Sequence, residues 1–241
     1  MIVSNSFRRS APIPSGPNDG IEPREPGAQF LEPGRNNDPN GTRDLLPSRG
    51  GLRRIGILGG SFNPAHSGHL HISLRALMAL GLDEVWWLVA PQNPLKPAAG
   101  MATFRDRLAA ARQAAVHPRI KVSDFEARQG TGYTADTLGQ LRRRHAGVRF
   151  VWLMGADNMV QIPQWKHWPR IFETVPVAVF DRPTYSYRAL AGVAARRFER
   201  ARRRGDGARG LVDCRPPAWI YVWGVRDPQS ATALRRKGVQ D

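Results

Sequence analysis

The sequence predicts an α/β fold: a doubly wound, mostly parallel sheet of Rossmann-like layering. Three observations predict it. Short apolar runs alternate with segments of helical periodicity along most of the chain. The runs are continuously apolar rather than alternating, as in strands covered on both faces. Several of them end in glycine or proline, where a parallel strand turns into its crossover.

The elements follow in order. Ile55-Gly56-Ile57-Leu58 reads as a first buried strand leading into Gly59-Gly60. Leu70, Leu74, Leu77, Met78 and Leu80 then recur at helical spacing until Gly81 stops them. Glu84 to Ala90 is a second strand, ended by Pro91, and the three elements form a βαβ unit. A helix over Thr103 to Val116, a strand at Ile120 to Val122 and a helix over Thr134 to Arg144 come next. Val148 to Met154 is a strand closed by Gly155, Trp168 to Glu173 a short helix, and Val175 to Phe180 a strand. Arg188 to Arg204 reads as one helix and Trp219 to Val222 as the last strand, with no internal repeat.

Residues 1–52 have a different texture, with Pro12, Pro14, Pro17, Pro23, Pro26, Pro33, Pro39 and Pro47 among glycine, asparagine and charge. Such a stretch buries too little apolar surface to offset its ordering entropy, so it is expected to be a disordered extension of a domain spanning 53–241. A formal net charge of +16 favours anionic partners such as nucleotides, and arginines crowd between Arg188 and Arg209. This arginine run reads as a solvated face, and nucleic acid is an unlikely partner despite the basic charge. The single cysteine, Cys214, excludes an intramolecular disulfide and a cysteine metal cage. With no bilayer-length apolar run and no leader-like N-terminus, the expected compartment is the cytoplasm.

The turn from Gly59 to His69 carries the chemistry. It lies at the carboxyl end of the first strand, where open α/β sheets bind ligands. Gly59 and Gly60 let backbone approach a phosphate, and the N–H groups opening the next helix favour an anion. His66 and His69 flank Ser67-Gly68, and their imidazoles suit phosphoryl oxygens and, when protonated, the charge of a leaving pyrophosphate. A helix cap or a metal ligand is the plainer use of either ring. Neither the Walker lysine pattern nor G-x-G-x-x-G is present.

The run Gly-Gly-Ser-Phe-Asn-Pro-x-His-x-Gly-His-Leu, residues 59–70, resembles the signature of the nucleotidylyltransferase superfamily that carries a [T/H]xGH motif. Within it, the chain from about Arg54 to Arg236 is similar to the bacterial nicotinate-nucleotide adenylyltransferases. The resemblance implies a nucleotidylyltransferase fold and adenylyl transfer from ATP to nicotinate mononucleotide. The products would be deamido-NAD and pyrophosphate, within NAD biosynthesis, and Mg²⁺ would accompany ATP.

It also implies site residues. His66 and His69 would be catalytic, and Gly59, Gly60, Ser61 and Phe62 would hold ATP with them. Gly155 and Asp157 match a Gly-x-Asp turn near ATP, and Ser230, Thr232 and Arg235 match a Ser-Ser-Thr-x-Ile-Arg phosphate clamp in which Ala231 replaces one serine. On the acceptor side stand Asn63, Lys96 at the end of a proline-rich loop, and Tyr133-Thr134 in a Tyr-Thr-x-Asp-Thr stretch. Thr134 or Asp136 is placed to cap the following helix, whose N–H groups suit a nicotinate carboxylate. Trp165 of Pro-x-Trp is the expected stacking platform, with Trp168 on the same helical face and in the core. Arg182 belongs to an Arg-Pro-Gly-Tyr-like turn in which Thr184 replaces glycine, and Arg107 reads as structural. No protein-held metal site is expected.

Two other readings stay open. One is a sibling transferase using nicotinamide mononucleotide, phosphopantetheine or glycerol phosphate. The other is a basic nucleic-acid-binding module, which would bind in a salt-dependent way and release no pyrophosphate.

Overall fold

A computed structural model describes residues 52–91, 100–182, 184–204 and 208–224. The expected extension therefore lies, apart from Leu52, outside the described residues. So do Lys96, Ser230, Thr232 and Arg235.

Seven strands form one sheet in the order β3-β2-β1-β4-β5-β7-β6, every neighbouring pair parallel. They are β1 (Arg53–Gly60), β2 (Glu84–Val89), β3 (Ile120–Ser123), β4 (Val148–Gly155), β5 (Val177–Phe180), β6 (Arg202–Arg203) and β7 (Trp219–Val222). The helices are α1 (Ser67–Ala79), α2 (Phe104–Ala114), α3 (Phe125–Gln129), α4 (Thr134–Arg144), α5 (Ala156–Gln161), α6 (Pro169–Thr174), α7 (Ser186–Ala191) and α8 (Val193–Arg197).

The continuous apolar strands are buried on both faces, and their period of two divides them between two cores. Ile55, Ile57, Trp86, Leu88, Trp152, Val177 and Trp219 enter one, packed by Phe125, Leu138, Met159, Phe172 and Phe198. Leu58, Val85, Trp87, Leu153, Phe180 and Ile220 enter the other, packed by Ile72, Ala76, Leu77 and Ala111. Trp86 and Trp87, adjacent in sequence, thus lie on opposite sides of the sheet. The strand order reverses between β1 and β4, so their carboxyl ends open a crevice at the switch point.

Three expectations change. Arg188 to Arg204 is not one helix: Gly192, with extended backbone, separates α7 from α8, and Arg202–Arg203 leaves helical geometry to pair with Trp219–Ile220 as an edge strand. Trp165 and Trp168 share no helix. Trp165 ends a 3₁₀ turn in extended conformation, and His167 at φ 55° interrupts the chain before α6. Neither Thr134 nor Asp136 caps α4. Its N-cap is Tyr133, without a side-chain cap bond, and the Asp136 carboxylate faces Arg170 at 3.6 Å.

Candidate active site

The two histidines are built into the start of α1. His66 is its N-cap in extended conformation, and its Nδ1 accepts the Gly68 N–H at 3.1 Å. His69 reaches back, its Nδ1 accepting the His66 N–H at 3.2 Å. The pair is a capping box in which two imidazoles take the parts of serine and glutamate. The ring centroids stand 4.0 Å apart. A ring whose Nδ1 accepts carries its proton on Nε2, so both imidazoles are set as Nε2–H donors.

Aromatic packing fixes these rings. Phe62 lies 4.6 Å from His69 and stacks on Trp87 at 5.1 Å, centroid to centroid. Ser73 Oγ donates to the His69 carbonyl at 2.8 Å and accepts Trp87 Nε1–H at 2.7 Å. Ser73 is a polar residue on the buried face of α1, four positions after His69, and that placement was a signal the sequence offered.

Gly59 serves packing as well as backbone approach. A Cβ there would strike the Trp152 indole, whereas one on Gly60 would meet Phe62 at an ordinary 3.5 Å. Trp152 in turn meets Trp165 edge-on at 6.5 Å, so one indole spaces the glycine turn from the candidate stacking residue. Trp168 meets Phe172 and Phe198 edge-on, and both Trp165 and Trp168 are partly buried against the same core.

The structure brings other expected residues together in pairs. Asn63 accepts the Ala102 N–H at 3.2 Å and donates to Gly100 O at 3.4 Å, clipping the glycine turn to the approach of α2. Arg182 Nε faces Asp157 Oδ1 at 3.4 Å, across Gly155, where a Cβ would clash with Asp157 Oδ1 and crowd Arg182 Nε. Lys166 Nζ sits 4.6 Å from the Tyr133 ring centroid, joining the turn before α4 to the Trp165 segment. Ser61 is buried in the turn, and the backbone entering α4 at Thr134 carries no side-chain cap. A cavity of about 440 Å³ runs along α4 between Thr131, Tyr133, Gln140, Arg143 and Arg170; no residue of the glycine turn lines it.

Three buried polar groups support this edge without having been singled out for it. Asp181 accepts from Tyr221 Oη at 2.8 Å and is paired with Ser186, anchoring the Arg182 turn to β7. Burial, and then this bond, hold the Tyr221 phenol well above its ordinary range. Glu126 lies under the turn before α4 beside Thr137, and burial pushes its carboxyl up to about 7 against the lowering effect of the Thr137 hydroxyl. Arg107 is buried among backbone carbonyls. Among the described residues, no three metal-ligating side chains come together.

A doubly wound parallel sheet with a double-histidine turn at its switch-point edge defines a class, and comparison with known proteins agrees. A family model described as cytidylyltransferase-like matches residues 57–237. A "probable nicotinate-nucleotide adenylyltransferase" of Parvibaculum lavamentivorans is 51% identical over 81% of this chain and 96% of its own length. One from Bradyrhizobium sp. is 52% identical over 76% and 95%. The nicotinic acid mononucleotide adenylyltransferase of Plasmodium falciparum, solved in complex with NaAD, shares the fold at a TM-score of 0.56 and 15% identity, over 76% of this chain and 83% of its own. The chain belongs to the nicotinate-nucleotide adenylyltransferase family of the cytidylyltransferase-like proteins.

Proposed function

We propose that the chain transfers the adenylyl group of ATP to nicotinate mononucleotide, releasing pyrophosphate and forming nicotinate adenine dinucleotide. The observation that carries the chemistry is the double-histidine capping box, which aims two Nε2–H donors from one helix start. The acceptor's phosphate is already anionic at neutral pH, so in-line attack on the α-phosphorus needs no general base. What remains for the protein is positioning and stabilisation of charge as pyrophosphate departs.

In this reading His66 and His69 donate to the α- and β-phosphates, and Gly59 to Phe62 and the Gly155–Asp157 turn surround ATP. Lys96, Ser230, Thr232 and Arg235 serve along the phosphates. Asn63 orders the turn, Trp165 stacks on the pyridine ring, and Tyr133 and the first N–H groups of α4 receive its carboxylate, with Arg182 held by Asp157. Mg²⁺ would enter with ATP and would supply charge compensation along its phosphates. The lone cysteine suits a cytoplasmic setting, and among the described residues no helix is long and apolar enough to cross a membrane.

The test is pyrophosphate release from ATP and Mg²⁺ with nicotinate mononucleotide, beside a parallel reaction with nicotinamide mononucleotide. Faster turnover with the nicotinate acceptor is expected. A preference for the amide would reassign the acceptor, and no release with either would overturn the reading.

A further inference from the structure

We propose that Arg107 is a positioning residue that sets the Ser61–Phe62 peptide so that the Phe62 N–H is presented to the triphosphate of ATP. The inference rests on the adenylyl-transfer reading above.

Arg107 lies in the first turn of α2 and is 2% exposed. Its Nη1 donates to Ser61 O at 2.6 Å and to Ala90 O at 2.8 Å. Its Nη2 donates to Pro91 O at 2.7 Å, and its Nε to Ala102 O at 3.1 Å. The guanidinium thus gathers the chain leaving β1, the chain leaving β2 and the approach to α2. No carboxylate pairs with it among the described residues. The cation, solvated by these carbonyl dipoles and lying 5.6 Å from the Phe104 ring centroid, keeps its charge, and that charge lies beneath the turn assigned to the phosphates.

The stereochemistry gives this charge a specific task. The cis peptides are Asn63–Pro64 and Pro216–Pro217, so Ser61–Phe62 is trans. In a planar trans peptide the C=O and N–H point in opposite directions. With Ser61 O drawn onto Arg107, the Phe62 N–H is directed away from it. Phe62 itself holds φ 46°, a conformation a bulky side chain keeps only when its surroundings over-determine it. Arg107 grips the peptide from one side, and Trp87 and His69 grip the Phe62 ring from the other. A flip of this peptide would relieve the backbone and turn a carbonyl where the N–H had been, repelling phosphate. Without Arg107, four converging carbonyls lose their donor, and the flip becomes favourable.

The experiment begins with the unsubstituted protein. Its pyrophosphate release with ATP and nicotinate mononucleotide tests the underlying reading separately. Steady-state kinetics of Arg107→Met and Arg107→Lys then follow, with thermal unfolding to confirm folding. Arg107→Met is expected to lose ~100-fold or more in kcat, the scale of one missing backbone donor, with KM for nicotinate mononucleotide unchanged. Arg107→Lys, which keeps the charge but not the fork, should recover part of kcat. A second measurement needs no variant: the Phe62 amide resonance of the unsubstituted protein should shift when ATP and Mg²⁺ are added. Normal turnover in both variants would overturn the proposal. So would an equal loss in KM for both substrates, or a Phe62 amide unmoved by ATP.

Discussion

Within the His66–His69 pair the two nitrogens of each ring have separate tasks, and a substitution can separate them. Nδ1 accepts a backbone N–H and starts α1, while Nε2–H is the donor assigned to phosphate. Asparagine is among the best N-cap residues and keeps an acceptor near Nδ1, but has nothing at the Nε2 position. His66→Asn is therefore expected to hold the melting temperature within ~4 °C of the unsubstituted protein while kcat falls ~100-fold or more. His66→Ala should lose both, with about 1 kcal/mol of stability removed with the cap. Unfolding curves and pyrophosphate release check the pair; normal turnover in the asparagine variant would remove His66 from the chemistry.

Between elements, turns show where side chains tolerate backbone they do not prefer. Thr184 sits at φ 70°, where the related family has glycine, in the turn between β5 and α7 that carries Arg182. Left-handed backbone costs an L-residue about 1–2 kcal/mol, and glycine gives back ~0.4–1 kcal/mol through its looser unfolded chain. Thr184→Gly is expected to stabilise by about 0.5–1 kcal/mol, read as a higher urea midpoint with unchanged slope. A lower midpoint would mean that the threonine side chain contributes contacts worth more than the backbone relief. At Gly59 the same reasoning points the other way: the missing side chain is space occupied by Trp152, so the glycine belongs to sheet packing as much as to ligand approach.

For the whole molecule, stability rests on two apolar layers that bury both faces of one parallel sheet, and a buried carboxyl makes it depend on pH. Burial pushes the Glu126 carboxyl up to about 7, from an ordinary value of 4.5. Its folded value is raised, so its contribution to stability is fully present below pH 4.5, declines as pH rises through about 7, and is flat above. The span corresponds to on the order of 3 kcal/mol. Glu126→Gln keeps the shape and an acceptor for Thr137 without the charge. Urea unfolding from pH 4 to 8 should show the variant gaining on the unsubstituted protein as pH rises, with most of the gain between pH 5 and 7. Parallel curves would show that Glu126 ionises in the fold without penalty.

All the strands but β6, the parallel sheet, helices α1, α2 and α4 and the double-histidine turn were legible in the sequence, because each depends on local signals: apolar runs, helical period, glycine stops. The family signature placed the expected site residues along the chain as well. Tertiary structure alone decided the rest. That both histidines cap α1 through Nδ1 depends on the extended backbone at His66. That Gly59 makes room for Trp152, and that Arg107 gathers carbonyls from two neighbouring strand ends, depends on a parallel register between segments far apart in sequence. The arginine-rich stretch misled the helical reading because Gly192 breaks it into two helices and Arg202–Arg203 pair with β7 instead of extending α8. Periodicity reports what a segment buries; it does not report which distant backbone a buried side chain will meet, and at this site those meetings set the chemistry.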